Sequence, residues 1–263
     1  MDSAKKVDCE IVEDDEDDYK ILKNKYLKLK RVKMNVDSVL HEQIKAPLPR
    51  KNGFFMIVNG GPGSGKTSFQ VNLFKKQRKK DDNHMFYGVF DGVVYVNPSM
   101  ATITNDMRQR NPFMTIPEDQ RFLSLKDNLV DIEELLKSIE GFKCLIIDDC
   151  MAELKEKEVQ KWLKRLIANR RHIFTSVILA SQVFNCIPKA VRTIASHLVL
   201  FPTPSTSELD EVKQSFGGNV SKDDWIRITR IAFKKDSDYP FPFLIADRTK
   251  YHKVFDRIVL KKK

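Results

Sequence analysis

The stretch Gly60-Gly61-Pro62-Gly63-Ser64-Gly65-Lys66-Thr67 decides how this chain is read. It fits the pattern G-x-x-x-x-G-K-[ST], and its surroundings complete the match. Before it, Phe54-Phe55-Met56-Ile57-Val58 reads as a fully buried strand; after it, Ser68 to Lys79 reads as a helix. Strand, glycine loop and helix in that order build a phosphate cradle. Glycines let the backbone fold around an anion with its amides pointing inward. The helix start adds unpaired N–H groups and the positive end of its dipole. The candidate nucleotide contacts are therefore Gly60, Gly61, Pro62, Gly63, Ser64, Gly65, Lys66, Thr67 and Ser68. In this pattern Lys66 reaches the β- and γ-phosphates of ATP or GTP, and the Thr67 hydroxyl binds Mg²⁺.

A second apolar run, Cys144-Leu145-Ile146-Ile147, ends in Asp148-Asp149 about 80 residues further on. Such a run suits a central parallel strand, and its carboxylates then emerge at the carboxyl edge of the sheet, where ligands bind in open α/β folds. Asp148 is the candidate Mg²⁺ holder together with Thr67, and Asp149 the candidate for orienting or deprotonating the attacking water. Glu153 is an alternative base. Ser176 to Ala180 is a further strand, and Gln182 at its tip can hydrogen-bond both a γ-phosphate and a water. Two arginines, Arg170 and Arg171, precede that strand. Either they complement the dipole at the end of the helix before them, or one is supplied to a neighbouring subunit's nucleotide as an arginine finger. Arg192 is a second choice for that role.

The remaining pattern alternates strands and helices. Gly92 to Val96, Phe142 to Ile147 and His197 to Phe201 read as strands; Asp127 to Glu140 and Glu153 to Asn169 read as amphipathic helices. The second helix carries the stripe Val159, Trp162, Leu163, Leu166 and Ile167. This alternation predicts a P-loop NTPase of RecA-like α/β class, with a mainly parallel central sheet flanked by helices. After Pro202 and Pro204 the pattern weakens. A short helix from Ser207 to Ser215 and two late strands, Trp225 to Phe233 and Phe243 to Ile245, suggest a small β-containing extension. The expected organisation is an acidic disordered tail (1–18), a basic arm or docking helix (19–49), a P-loop ATPase core (50–203) and a C-terminal extension (204–263).

Charge is unevenly spread. The chain carries +10, yet residues 1–18 hold nine acids and two lysines, a net of −7, which leaves +17 on the rest. A body that basic suggests a polyanionic partner, most simply nucleic acid, with ordinary solvated lysines as the alternative. The four cysteines (Cys9, Cys144, Cys150, Cys186) form no C-x-x-C pair and suggest a reducing compartment. The histidines are scattered, which argues against zinc. Apolar runs of four or five residues predict no membrane span, and Met1 to Lys6 does not open a secretory signal.

Together these pieces resemble the FtsK–HerA superfamily of P-loop motors, and within it the genome-packaging ATPases of poxviruses, other large DNA viruses and their virophages. The resemblance rests on Gly60 to Thr67, on Leu145 to Asp149, and above all on Arg171-His172, the strand Thr175 to Ser181 ending in Gln182, the following Ile187-Pro188, and Arg192. It covers residues 54–201 and leaves both flanks unmatched. It implies an ATP-hydrolysing ring, a hexamer or pentamer of this chain, that drives double-stranded DNA into a preformed capsid. Lys66, Thr67, Asp148, Asp149 and Gln182 would carry hydrolysis, with Arg170 or Arg171 supplied by the neighbour. Capsid vertex proteins are the implied docking partners, and the host cytoplasm, at the viral factory, is the implied location, with the virion as a further one. Many ring ATPases have Glu where this chain has Asp149, one methylene shorter. A nucleotide-dependent binding module without translocation, or a nucleoside or nucleotide kinase, stands as the alternative reading.

Overall fold

The computed structural model describes residues 9–13, 20–24, 40–41, 44, 47–75, 85–102, 111–218, 220–234, 242–247 and 255–259. The chain divides into two units, residues 1–35 and 36–263. In the first, β1 (Cys9–Glu13) and β2 (Lys20–Asn24) pair antiparallel, with Glu10 opposite Lys23 and Glu13 opposite Lys20. These ten residues form strands within the segments read as an acidic tail and as a basic arm or docking helix.

The second unit is built on an eight-stranded sheet. Its strands are β3 (Phe55–Asn59), β4 (Gly92–Val96), β5 (Arg121–Phe122), β6 (Lys143–Ile147), β7 (Thr175–Ser181), β8 (His197–Leu200), β9 (Pro242–Asp247) and β10 (Phe255–Val259). Their order across the sheet is β10-β9-β8-β3-β7-β6-β4-β5. Strands β8 through β5 run parallel, while β9 is antiparallel to β8 and β10 to β9. The expected mainly parallel sheet is thus the observed one, and the late strand expected at Phe243 to Ile245 lies within β9.

The helices are α1 (Lys66–Phe74), α2 (Leu129–Ser138), α3 (Lys157–Asn169), α4 (Lys189–Arg192), α5 (Thr206–Val212) and α6 (Lys222–Ala232). Every residue of β3, β6 and β7 is buried, because helices cover both faces. Side chains alternate between two cores as the strand period requires. Phe55 and Ile57 pack with the α2 and α3 stripes, including Ile132, Trp162 and Leu166. Met56 and Val58 pack on the other face with Phe69 and Leu73 of α1.

One expected strand is a helix. Trp225 to Phe233 falls almost wholly in α6, whose buried residues Trp225, Thr229 and Ala232 follow i, i+4, i+7 spacing. The β-branched residues Ile226, Ile228 and Ile231 favour a strand on propensity. Ser221 overrides them as an N-cap, its Oγ accepting from Asp224 N at 3.0 Å. The expected basic end of the P-loop helix, beyond Lys75, lies outside the described residues.

Candidate nucleotide site

Parallel strands β3, β7, β6 and β4 end on one edge, and their next residues form the site. Asn59 stands opposite Ser181, and Ile147 opposite both Leu179 and Val96. That register brings the loop after β3, Gln182, Asp148-Asp149 and Asn97 to the same level. β7 lies between β3 and β6, so Gln182 arrives between the glycine loop and the two aspartates.

The loop has the geometry its sequence requires. Gly60 N donates to Ser181 O at 3.2 Å, tying the loop to β7. Gly63 and Gly65 have φ of 67° and 102°, in the left-handed region that glycine enters without strain. Gly65 caps α1 without a side-chain bond, so the helix start keeps its N–H groups facing the loop. The buried Ser64 hydroxyl has no hydrogen-bond partner among the described residues.

Lys66 is half-buried, and its Nζ donates to Gly60 O at 2.6 Å and Gly61 O at 2.9 Å. Burial lowers its pKa, opposed by the Asp148 and Asp149 charges. Asp148 is buried beside Thr67, whose Oγ1 lies 3.5 Å from its Oδ2. Burial pushes the Asp148 carboxyl above its ordinary value and the Asp149 charge adds to this, while Gln70, Lys66 and Thr67 oppose it. The Gln70 amide is buried beside Asp148 and favours its ionised form. Thr67 and Asp148 form an all-oxygen pair that fits Mg²⁺, an ion that takes one or two protein ligands and completes its shell with phosphate and water. Among the described residues no cluster of three His, Cys, Asp or Glu competes for a metal.

Asp149 is exposed at the cleft. Its Oδ1 accepts from Gln182 Nε2 at 2.6 Å and its Oδ2 from Ser99 Oγ at 3.2 Å. Its φ of 58° is left-handed. In a continuing strand, adjacent side chains point to opposite faces. The backbone turn at Asp149 lets both aspartates serve one site.

The structure thus brings together Lys66, Thr67, Asp148, Asp149 and Gln182. It places the other candidates elsewhere. Arg170 is buried at the opposite, amino edge of the sheet. Its Nε donates to Gly53 O at 2.8 Å and its Nη1 to Ile167 O, and burial lowers its pKa to about 10. That guanidinium braces the start of β7 against the turn before β3 and, at the end of α3, also meets the reading of a positive group complementing the helix dipole. Arg171, on the same edge, is exposed. Arg192 lies over Phe184, with Nη1 on Asn185 Oδ1 at 3.1 Å and Glu211 Oε2 at 2.9 Å. Glu153 accepts from Ser124 Oγ and Lys126 N, docking its loop.

Asn97 and Ser99 were missed by sequence reasoning. Asn97 is buried, with Nδ2 2.7 Å from Tyr95 OH and 3.4 Å from Asp148 Oδ2. Its signal was present: like Asp148 and Gln182, it is the polar residue that ends an apolar strand.

A family model described as the poxvirus A32 protein matches residues 43–249. Among solved structures, the chain is similar to B204, the DNA-packaging ATPase from Sulfolobus Turreted Icosahedral Virus, at 15% identity over 77% of this chain and 96% of that one, with a TM-score of 0.54. It is also similar to the genome packaging NTPase B204 from Sulfolobus turreted icosahedral virus 2. The complex with AMPPCP matches at 16% identity over 79% of this chain and 99% of that one, TM-score 0.53. The complex with ATP-gammaS matches at 15% identity over 79% and 98%, TM-score 0.51. At these identities the likeness is one of fold. No curated protein matches the chain in sequence.

Proposed function

The chain belongs to the poxvirus A32 protein family, and from that premise we propose that it is an ATP-hydrolysing motor that packages viral DNA. The observation that carries this reading is the 2.6 Å contact of Gln182 with Asp149 beside Lys66 and Asp148. A binding module needs the phosphate cradle alone. A carboxylate next to the Mg²⁺-holding aspartate, joined to an amide from the neighbouring strand, is a device for handling a water. The solved relatives of this fold, an NTPase bound to AMPPCP and to ATP-gammaS, support ATP as the nucleotide.

In this mechanism the glycine loop and the start of α1 hold the phosphates through backbone N–H groups. Lys66 exchanges its two carbonyl contacts for the β- and γ-phosphate oxygens. Thr67 and Asp148 would hold Mg²⁺, which would supply positive charge against the charge developing on the phosphates. Asp149 orients the attacking water and takes its proton, and Gln182 links that water to the γ-phosphate. Arg171 is the remaining candidate for a finger supplied by a neighbouring copy in a ring. The +17 carried beyond residue 18 suits the backbone of double-stranded DNA, and the same family reading supports capsid vertex proteins as partners in the infected cytoplasm.

The test is ATP hydrolysis by the full chain with and without linear double-stranded DNA, with Lys66→Ala as control. DNA should raise the rate several-fold, Lys66→Ala should abolish it, and DNA affinity should fall steeply with salt. Hydrolysis indifferent to DNA would favour a nucleotide-dependent switch, and a phosphorylated small-molecule product a kinase.

A further inference from the structure

The tip of β4 carries two polar residues that the nucleotide chemistry leaves without a role. Asn97 Oδ1 accepts from Ser99 N at 2.7 Å, closing a turn around Pro98. Asn97 is itself anchored, its Nδ2 on Tyr95 OH and facing Asp148. The turn aims the Ser99 hydroxyl at Asp149 Oδ2, 3.2 Å away, while Gln182 donates to Oδ1. The Asp149 carboxylate is therefore held through both oxygens, from β4 on one side and β7 on the other.

This restraint answers a geometric need. Asp149 has left the strand, with a φ of 58°, and its side chain is short. One donor fixes one oxygen and leaves the carboxylate free to swing about that contact. A second donor on the other oxygen fixes its plane, and a water held by that plane keeps one line of attack.

We propose that Ser99 is a positioning residue for Asp149, held in register by Asn97, and that it sets the carboxylate plane toward the attacking water. The inference rests on Asp149 handling the water in ATP hydrolysis. Ser99 is exposed, so loss of its hydroxyl opens no cavity and the variant keeps the fold.

The experiment measures single-turnover and steady-state ATP hydrolysis by the full chain, with thermal unfolding and binding of a fluorescent ATP analogue alongside. The variants are Ser99→Ala, Ser99→Thr, Asp149→Asn and the double variant Ser99→Ala/Asp149→Asn. Ser99→Ala should lower kcat about 10- to 100-fold, with KM, analogue affinity and Tm unchanged. Ser99→Thr, which keeps the hydroxyl, should recover most of the rate. In the Asp149→Asn background, Ser99→Ala should cost nothing further. A wild-type kcat in Ser99→Ala overturns the proposal. So does an equal loss in the Asp149→Asn background, because Ser99 would then act independently of Asp149. A raised KM with unchanged kcat overturns it too, making Ser99 a nucleotide contact. If the wild-type chain binds the analogue but does not hydrolyse ATP, the proposed function fails and the positioning role fails with it.

Discussion

Gly60 packs against Phe201 so closely that a Cβ added at residue 60 would lie 2.5 Å from the Phe201 Cβ and 2.8 Å from Ser64 Oγ. The first glycine of the loop is thus a packing requirement as well as a flexible joint. Its neighbour Gly61 has open space where a Cβ would go. Gly60→Ala should lower stability by about 1–3 kcal/mol through overpacking and weaken nucleotide binding, because the loop must move off Phe201. Gly61→Ala should leave Tm nearly unchanged. Thermal unfolding and titration with a fluorescent ATP analogue separate the two.

Removing the charge from Asp149 should spare binding and stop chemistry. Asp149→Asn is expected to cut kcat by about 10²–10⁴, with little change in analogue affinity, since Lys66 and the loop amides hold the phosphates. Gln182→Ala should fall in the same direction. Single-turnover hydrolysis checks both.

The two adjacent arginines should divide by role. Arg170→Ala leaves the carbonyls of Gly53 and Ile167 without their donor and should cost about 1–3 kcal/mol of stability. Arg171→Ala should change the unfolding free energy by no more than about 0.5 kcal/mol, as exposed substitutions do. If Arg171 acts on a neighbour's nucleotide, mixing Arg171→Ala with Lys66→Ala subunits should restore part of the hydrolysis that each lacks. Denaturant unfolding and mixed-subunit assays read these outcomes.

Stability should fall in mild acid through His197. This buried imidazole at the start of β8 lies 3.5 Å from Asp247 Oδ1 on β9, with Ser196 Oγ 2.9 Å from its Nδ1. Burial lowers its pKa to about 4, against the pull of the Asp247 charge. The ordinary value is 6.5, so between those two pH values the unfolded chain binds more protons than the folded one. The contribution is complete above about pH 6.5 and is lost as pH falls toward 4, on the order of a few kcal/mol in all. His197→Gln should flatten that part of the profile, measured by urea unfolding at stepped pH.

Much of the site was legible because its parts are short and local. A glycine loop between an apolar run and a helix, and an apolar run ending in Asp148-Asp149, are spacings along the chain that need no knowledge of neighbours. The α3 stripe was legible for the same reason. α6 reads as a strand because isoleucines at 226, 228 and 231 satisfy strand propensity, although Ile226 and Ile231 lie on the exposed side of the helix and Ile228 packs at the edge of the core. Only burial of Trp225, Thr229 and Ala232 on one face separates the two. The pairing of β1 with β2 is a relation between two segments, which neither shows alone.

By itself, the sequence determined the phosphate loop, the two aspartates, Gln182 and the class of fold, since each follows from residue type and period. The tertiary structure alone decided how these meet. Gln182 and Asp149 stand 33 positions apart, and Thr67 and Asp148 81 apart. Their contact depends on β7 lying between β3 and β6, a strand order that no periodicity encodes. It also decided that Arg170 turns inward, that Asp149 takes a left-handed backbone, and that Asn97 and Ser99 face the aspartates. Those are outcomes of packing and of hydrogen bonds between distant residues, which exist only once the sheet has assembled.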